Sequence, residues 1–125
     1  MSKLLVLLVE DNETNQMLAT AVLERDGLRV QVAASADEAV VILQNSLPDL
    51  ILMDLQLPGR DGLTFTRALK LDPATAGIPV VAMTAHAMMG DEEQALAAGC
   101  AGYIAKPVDT RTLADEVRRH LGAVR

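Results

Sequence analysis

The sequence contains no tryptophan, one tyrosine (Tyr103), one phenylalanine (Phe65) and one cysteine (Cys100). A core built from it must therefore be aliphatic, drawn from Leu, Val, Ile, Ala and Met. A single cysteine cannot close an intrachain disulfide, and no signal peptide is legible, so a reducing cytoplasm is the expected compartment. Basic residues are outnumbered, 11 Lys and Arg against 17 Asp and Glu, for a formal net charge of −6. That balance argues against electrostatic binding to nucleic acid or to an anionic membrane, each of which needs a basic patch. It is compatible with a cation site or a basic protein partner. The longest apolar runs, such as residues 4–9 and 50–53, are too short to span a bilayer. Repeats, low-complexity tracts and linkers are missing as well.

What is present suits one packed domain: 125 residues, half of them hydrophobic and 22% charged. Short apolar runs alternate with longer amphipathic stretches. Residues 4–9 read as a buried strand. Asn12 can cap a helix running to about Arg25, with Met17, Leu18, Ala21 and Val22 as its inward stripe and Gly27 as its stop. Residues 28–33 form an edge-like strand, and Ser35 caps a helix that turns Ala36, Ala39, Val40 and Leu43 inward before Pro48. A third strand covers residues 50–54, a loop is punctuated by Pro58-Gly59 and Asp61-Gly62, and a helix covers 63–71. A fourth strand covers 78–83 and ends at Thr84; a helix over 92–98 stops at Gly99. The fifth strand, 101–105, ends at Lys106-Pro107, and Asp109 caps a last helix carrying Leu113, Val117 and Leu121 at four-residue spacing. Five strand–helix units with strands apolar on both faces predict an α/β fold: a flavodoxin-like doubly wound sandwich, parallel, with strand order 2-1-3-4-5.

In such sheets ligands bind beyond the carboxyl ends of the strands. The first strand ends in Glu10-Asp11, the third in Asp54, the fourth in Thr84 and the fifth in Lys106. Three carboxylates, one hydroxyl and one ammonium therefore converge on one edge. Clustered carboxylates repel unless a cation compensates, and an all-oxygen site suits Mg²⁺ (or Mn²⁺), with Asp11 and Asp54 as natural ligands and Glu10 binding directly or through water. An ionised carboxylate can also attack phosphorus and form an aspartyl phosphate. Lys106 and the Thr84 hydroxyl would then hold phosphoryl oxygens.

With those residues in place the chain resembles a response-regulator receiver domain of two-component phosphorelays over nearly its whole length. The resemblance rests on Leu8-Val9-Glu10-Asp11-Asn12, on 52–58, on Asp61-Gly62, on Met83-Thr84-Ala85-His86-Ala87 and on 98–107. It implies that Asp54 is the phosphoacceptor, that Glu10 and Asp11 are the acidic metal pair, and that the Gln56 backbone carbonyl is a further ligand. It also implies that Thr84 and Lys106 contact phosphate, that Tyr103 is the switch aromatic, and that the Lys106–Pro107 bond is cis. Gln56 and His86 would flank the mouth where a hydrolytic water enters and tune phosphoryl lifetime. A sensor histidine kinase or histidine phosphotransfer protein would dock near Asn12, Asn15, Leu18 and Pro107. A downstream protein would read the face of the fourth helix, fifth strand and fifth helix around Met88, Glu92, Ala101, Tyr103 and Arg111. The first acid is Glu10 rather than Asp, a mild departure. The motif wording is more similar to receivers of hybrid kinases and of single-domain chemotaxis or cell-cycle regulators than to those of transcription factors. The sequence ends at Arg125, just after the last predicted helix, so residues 1–125 are expected to form one receiver without an output domain.

Blander readings stand beside these. Asp54 alone could be a turn cap, Thr84 a β-former, Lys106 a solvated charge and Asp61-Gly62 a plain turn. His86 reads as a loop residue without a ligand partner, His120 as a surface residue at a helix end near the last carbonyls, and Cys100 as a small buried residue. Met83, Met88 and Met89 are either core or an adaptable surface. An Asp-nucleophile phosphatase of the haloacid-dehalogenase kind would want a second Asp where Gln56 stands. A flavin carrier on this fold would want a phosphate loop free of acids after the first strand, together with aromatics. The purified protein should therefore be colourless, and flavin absorption in the visible spectrum would overturn that exclusion.

Overall fold

The computed structural model describes residues 4–57, 61–84, 91–106 and 108–122; the side chain of Asp91 stands outside that description. Ten elements alternate: β1 (Leu5–Val9), α1 (Glu13–Arg25), β2 (Arg29–Ala33), α2 (Ala36–Asn45), β3 (Leu50–Asp54), α3 (Gly62–Leu71), β4 (Val80–Thr84), α4 (Asp91–Ala97), β5 (Gly102–Ala105) and α5 (Leu113–Gly122). The five strands form one parallel sheet in the order β2-β1-β3-β4-β5, as expected. Every residue of β3 and β4 is buried, which is why their sequences are apolar without alternation.

Side chains still alternate between the faces. Leu7, Val9, Ile51, Met53, Val80 and Ala82 meet Ala39, Phe65, Leu69 and Ala95 under α2, α3 and α4. Val6, Leu8, Leu50, Leu52, Val81, Met83 and Ile104 meet Val22, Leu23, Leu113 and Val117 under α1 and α5. Met83 is thus core. The second face is clamped at its far end, where Arg118 of α5 donates to the Asp26 carboxylate beside the C-terminus of α1. Asn12 and Ser35 cap α1 and α2 as expected, accepting from the Asn15 and Glu38 amides. Gly27 and Gly99 follow α1 and α4 at φ values of 91° and 109°, a left-handed geometry that other residues adopt at a cost.

Several expectations need correcting. The inward stripe of α1 is Ala19, Val22 and Leu23, while Met17 is 72% exposed and Leu18 and Ala21 also face outward. Both stripes satisfy helical spacing; the packed sheet selects the one carrying Leu23. Asp109 does not cap α5 directly. Its carboxylate accepts from the Arg111 amide, and its carbonyl accepts from the Thr112 and Leu113 amides, so it anchors a turn that delivers the chain to a helix beginning at Leu113. β4 begins at Val80 rather than Ile78, because Pro79 has no N–H to give a ladder. β5 begins at Gly102, with Ala101 held by its amide to the Val80 carbonyl.

The corrected stripe has a measurable consequence. Leu23→Ala should lower unfolding stability by about 2–5 kcal/mol, because it empties a fully buried site. Met17→Ala should change it by no more than about 0.5 kcal/mol. Urea denaturation of both variants decides; equal losses would restore the expected stripe.

Candidate functional site

The site forms where the buried sheet stops being apolar. Asp54 is the last residue of β3 and Thr84 the last of β4, while Glu10 follows β1 and Lys106 follows β5. In the register Val9 pairs with Met53, so one further step sets Glu10 beside Asp54. Thr84 pairs with Ala105, and the Lys106 amide donates to the Thr84 carbonyl at 2.7 Å, carrying Lys106 over the edge of β4. Its ammonium reaches the Asp54 carboxylate at 3.0 Å and the Glu10 carboxylate at 2.8 Å.

Asp54 and Glu10 are 2% and 1% exposed, and each carboxylate is satisfied from two sides. Asp54 Oδ1 accepts the Gln56 amide at 2.9 Å and Oδ2 accepts Lys106. Glu10 accepts Lys106 on one oxygen and the Asn12 amide, at 3.2 Å, on the other. The Glu10 carbonyl takes the Gln16 side-chain amide at 2.6 Å, which fixes the turn into α1. Asp11 is exposed. Burial holds the Glu10 carboxyl above its ordinary range, with Asp54 adding to the rise, against the pull of Lys106 and the Asn12 amide. Burial alone would lower Lys106; its bonds to Glu10 and Asp54 and their charges outweigh it and hold the ammonium above its ordinary value.

Oxygens of Glu10, Asp11 and Asp54 lie within 4.8 Å of one another, the spacing at which carboxylates can share an ion. Among the described residues this is the single cluster of that kind. Against three carboxylates stands one ammonium, so a divalent cation matches the uncompensated charge. The donor set, all oxygen with no nitrogen or sulfur, fits Mg²⁺ rather than a softer metal.

The structure thus brings Glu10, Asp11, Asp54 and Lys106 together and sets Thr84, buried, at the same edge. Tyr103 is half-buried on β5, packed against the core under α2, α3 and α4. Asn12 is exposed at the site's rim, with Asn15 and the outward-facing Leu18 following along α1. Arg111 is exposed and contacts Asp109. His86, Met88, Met89 and Pro107, and with Pro107 the geometry of the Lys106–Pro107 bond, lie outside the described residues.

Sequence reading missed two contributions. Gln56 donates its backbone amide to Asp54, a contact invisible to any reading of side chains. Gly62, taken as part of a plain turn, lies against the end of β3: a Cβ there would sit 2.6 Å from the Asp54 carbonyl and 2.8 Å from the Leu55 Cα. The lack of a side chain lets α3 start directly beside the site, with Asp61 capping it through the Leu63 amide. The one available signal was the Asp-Gly pair at a helix start.

Comparison with known proteins agrees with this geometry. Residues 6–118 match the family described as the response regulator receiver domain. The polar-differentiation response regulator DivK of Brucella ovis is 42% identical over 117 residues, covering 94% of this chain and 95% of that protein. The receiver domain of a sensor histidine kinase from Pseudomonas aeruginosa, solved with a magnesium ion coordinated in its active site cleft, superposes with a TM-score of 0.87 at 37% identity over 97% of this chain and 99% of that one. A CheY-like receiver domain protein from Methanospirillum hungatei gives a TM-score of 0.87 at 30% identity over 98% and 97%.

Gly62→Ala should drive α3 away from the end of β3 and lower stability by about 1–3 kcal/mol, with amide shifts at residues 54–57. Gly77→Ala is the control: nothing lies within 4 Å of the added carbon and φ is not positive, so stability should hold or rise by about 0.4–1 kcal/mol. Denaturant titration and amide spectra distinguish them; equal effects would mean that Gly62 plays no part in placing α3.

Proposed function

The chain belongs to the response regulator receiver domains, a regulatory rather than catalytic family, and on that premise we propose that it is a phosphorylation switch whose phosphoacceptor is Asp54. The observation that carries this reading is the buried Asp54 carboxylate at the end of the central strand, bound to Lys106 and flanked by Glu10 and Asp11. A sensor histidine kinase or a histidine phosphotransfer protein presents a phosphohistidine. An Asp54 oxygen bonds to phosphorus while the phosphorus–nitrogen bond breaks, and its electron pair leaves with the imidazole. No proton need be removed first, because the nucleophile is a carboxylate. Lys106 moves its ammonium from the Asp54 oxygen to a phosphoryl oxygen, Thr84 offers its hydroxyl to another, and the Gln56 amide keeps the carboxylate oriented. Asp11, Asp54, Glu10 (directly or through water) and the Gln56 carbonyl would hold a Mg²⁺ ion, which would supply charge neutralisation at the phosphoryl group; Mn²⁺ shares that oxygen preference.

The rest of the reading follows from position. The donor approaches over Asn12, Asn15, Leu18 and Pro107, at the site's end of α1 and after β5. Gln56 and His86 stand two residues beyond Asp54 and Thr84 and tune the lifetime of the phosphoryl group, which is lost by slow autodephosphorylation. Adding about −1.5 to −2 charge at Asp54 draws in Thr84, and Tyr103 turns into the space it leaves. The output is protein contact at the face of α4, β5 and α5, without nucleic acid or membrane, in the cytoplasm. No helix among the described residues is long and apolar enough to cross a membrane.

Incubation with acetyl phosphate and Mg²⁺ should add one phosphate to the wild-type mass and none to Asp54→Asn, which should remain folded; equal labelling of the two would sink the assignment. In the same preparations Mg²⁺ at ten times its dissociation constant should stabilise the wild type by about 1.4 kcal/mol at pH 7. The effect should shrink toward pH 4 as carboxylates protonate, and it should be lost in Asp11→Asn. A melting temperature indifferent to Mg²⁺ at pH 7 would remove the metal from the reading.

A further inference from the structure

His120 was expected at a helix surface near the last carbonyls; it stands in the last turn of α5, half-buried, with its ring turned toward β5. A Cβ on Gly102 would lie 2.3 Å from His120 Nε2 and 2.4 Å from its Cε1. The imidazole of α5 therefore occupies the space in which any other residue at position 102 would hold its side chain. Gly102 opens β5, an outer strand of the sheet, and pairs there with Val81 of β4. Tyr103, the next residue, packs into the opposite core, while Val117 and Leu121 of α5 are buried on the His120 side. The first residues of β5 are thus covered on one face by the imidazole of α5, and on the other Tyr103 of the strand itself reaches into the opposite core.

The surroundings of the ring decide what a proton does there. Glu116, one turn back on α5, favours the charged form, and neighbouring Arg119 opposes it. β5 presents backbone at Gly102 and β4 presents Val81, neither of them charged. Along α1, which packs beside α5, Asp26 is already engaged by Arg118. A protonated ring would sit against apolar and backbone surroundings with Glu116 as its one acidic neighbour on α5, and a solvated position would suit it better.

We propose that His120 is a proton-responsive clamp between α5 and β5: the neutral ring seats on Gly102, the protonated ring withdraws, and the face built from β5 and α5 changes with pH independently of chemistry at Asp54. Burial, then Arg119, hold the imidazole below its ordinary value of 6.5, with Glu116 partly opposing. A histidine lowered on folding contributes stability that is fully present above the unfolded value and is lost as pH falls through it toward the folded one. The clamp therefore closes at neutral pH and opens in mildly acidic conditions.

Proton–carbon NMR of the intact chain tests this, with the His120 signal assigned by its disappearance in His120→Asn. The His120 midpoint should lie below 6.5. The amides of residues 101–104 and 117–122 should shift with that same midpoint, and this transition should vanish in His120→Asn. Gly102→Ala should displace the ring and return its midpoint toward that of a free imidazole. Should that variant fail to fold, His120→Asn decides alone: melting temperature should drop more between pH 7 and 5.5 in the wild type than in the variant. A His120 midpoint at or above 6.5, amides of β5 that stay flat through it, or an unchanged β5 transition in His120→Asn would each overturn the proposal.

Discussion

Lys106 bonds to Asp54 at 3.0 Å and to Glu10 at 2.8 Å, and the polar end of the molecule is organised around that ammonium. β5 is separated from β3 by β4, so the lysine must cross the end of β4 to reach its partners. It can do so because β4 ends in the small Thr84, whose carbonyl receives the Lys106 amide and sets the side chain on its path. Two nearly inaccessible carboxylates facing each other without a cation would each bear a desolvation penalty of several kcal/mol in addition to their repulsion. With the ammonium between them the cluster is tolerable but still short of positive charge once Asp11 is counted. That residual deficit is what a dication would relieve, and it makes the cluster a place where charge can be exchanged.

The rest of the fold keeps that arrangement at one edge. A parallel sheet covered on both faces has no room for polar side chains along its central strands, and β3 and β4 are accordingly buried throughout. Polar residues accumulate where strands end. The helices then determine how closely that edge is hemmed in. α1 starts immediately after Glu10, with Asn12 as its cap and Gln16 holding the Glu10 carbonyl. α3 starts against the Asp54 backbone only because residue 62 has no Cβ. Backbone amides from both turns, Asn12 and Gln56, donate to the two buried carboxylates. The site is therefore held by backbone hydrogen bonds on the side of β1 and β3, while the lysine reaches it from β5 on a long side chain.

Much of this was legible beforehand. Apolar runs ending in Glu10, Asp54, Thr84 and Lys106 placed the strands and the site together, since the spacing of strand–helix units leaves little choice of topology. Gly27 and Gly99 marked the helix stops, and Asn12 and Ser35 the starts, because capping is a local matter of backbone donors and left-handed φ. The inward face of α1 was legible only at Val22: the expected Met17-Leu18-Ala21-Val22 and the observed Ala19-Val22-Leu23 both fit helical spacing, and only the sheet beneath decides which is covered. The start of α5 was not legible either, because Asp109 caps a turn as readily as a helix.

What the amino-acid sequence determined by itself was the set of strands, their parallel arrangement and the polar residues at their ends, because these follow from short-range pattern and from the exclusion of charge from a buried sheet. What only the tertiary structure decided were the contacts between residues far apart in the chain. The Lys106 ammonium lies between Glu10 and Asp54, Gly62 leaves room for the Asp54 carbonyl, and the His120 ring rests on Gly102. None of these has a period or a spacing to announce it. Each depends on the distance between backbones of separate elements, which is settled only when close packing of the whole core fixes where those elements lie.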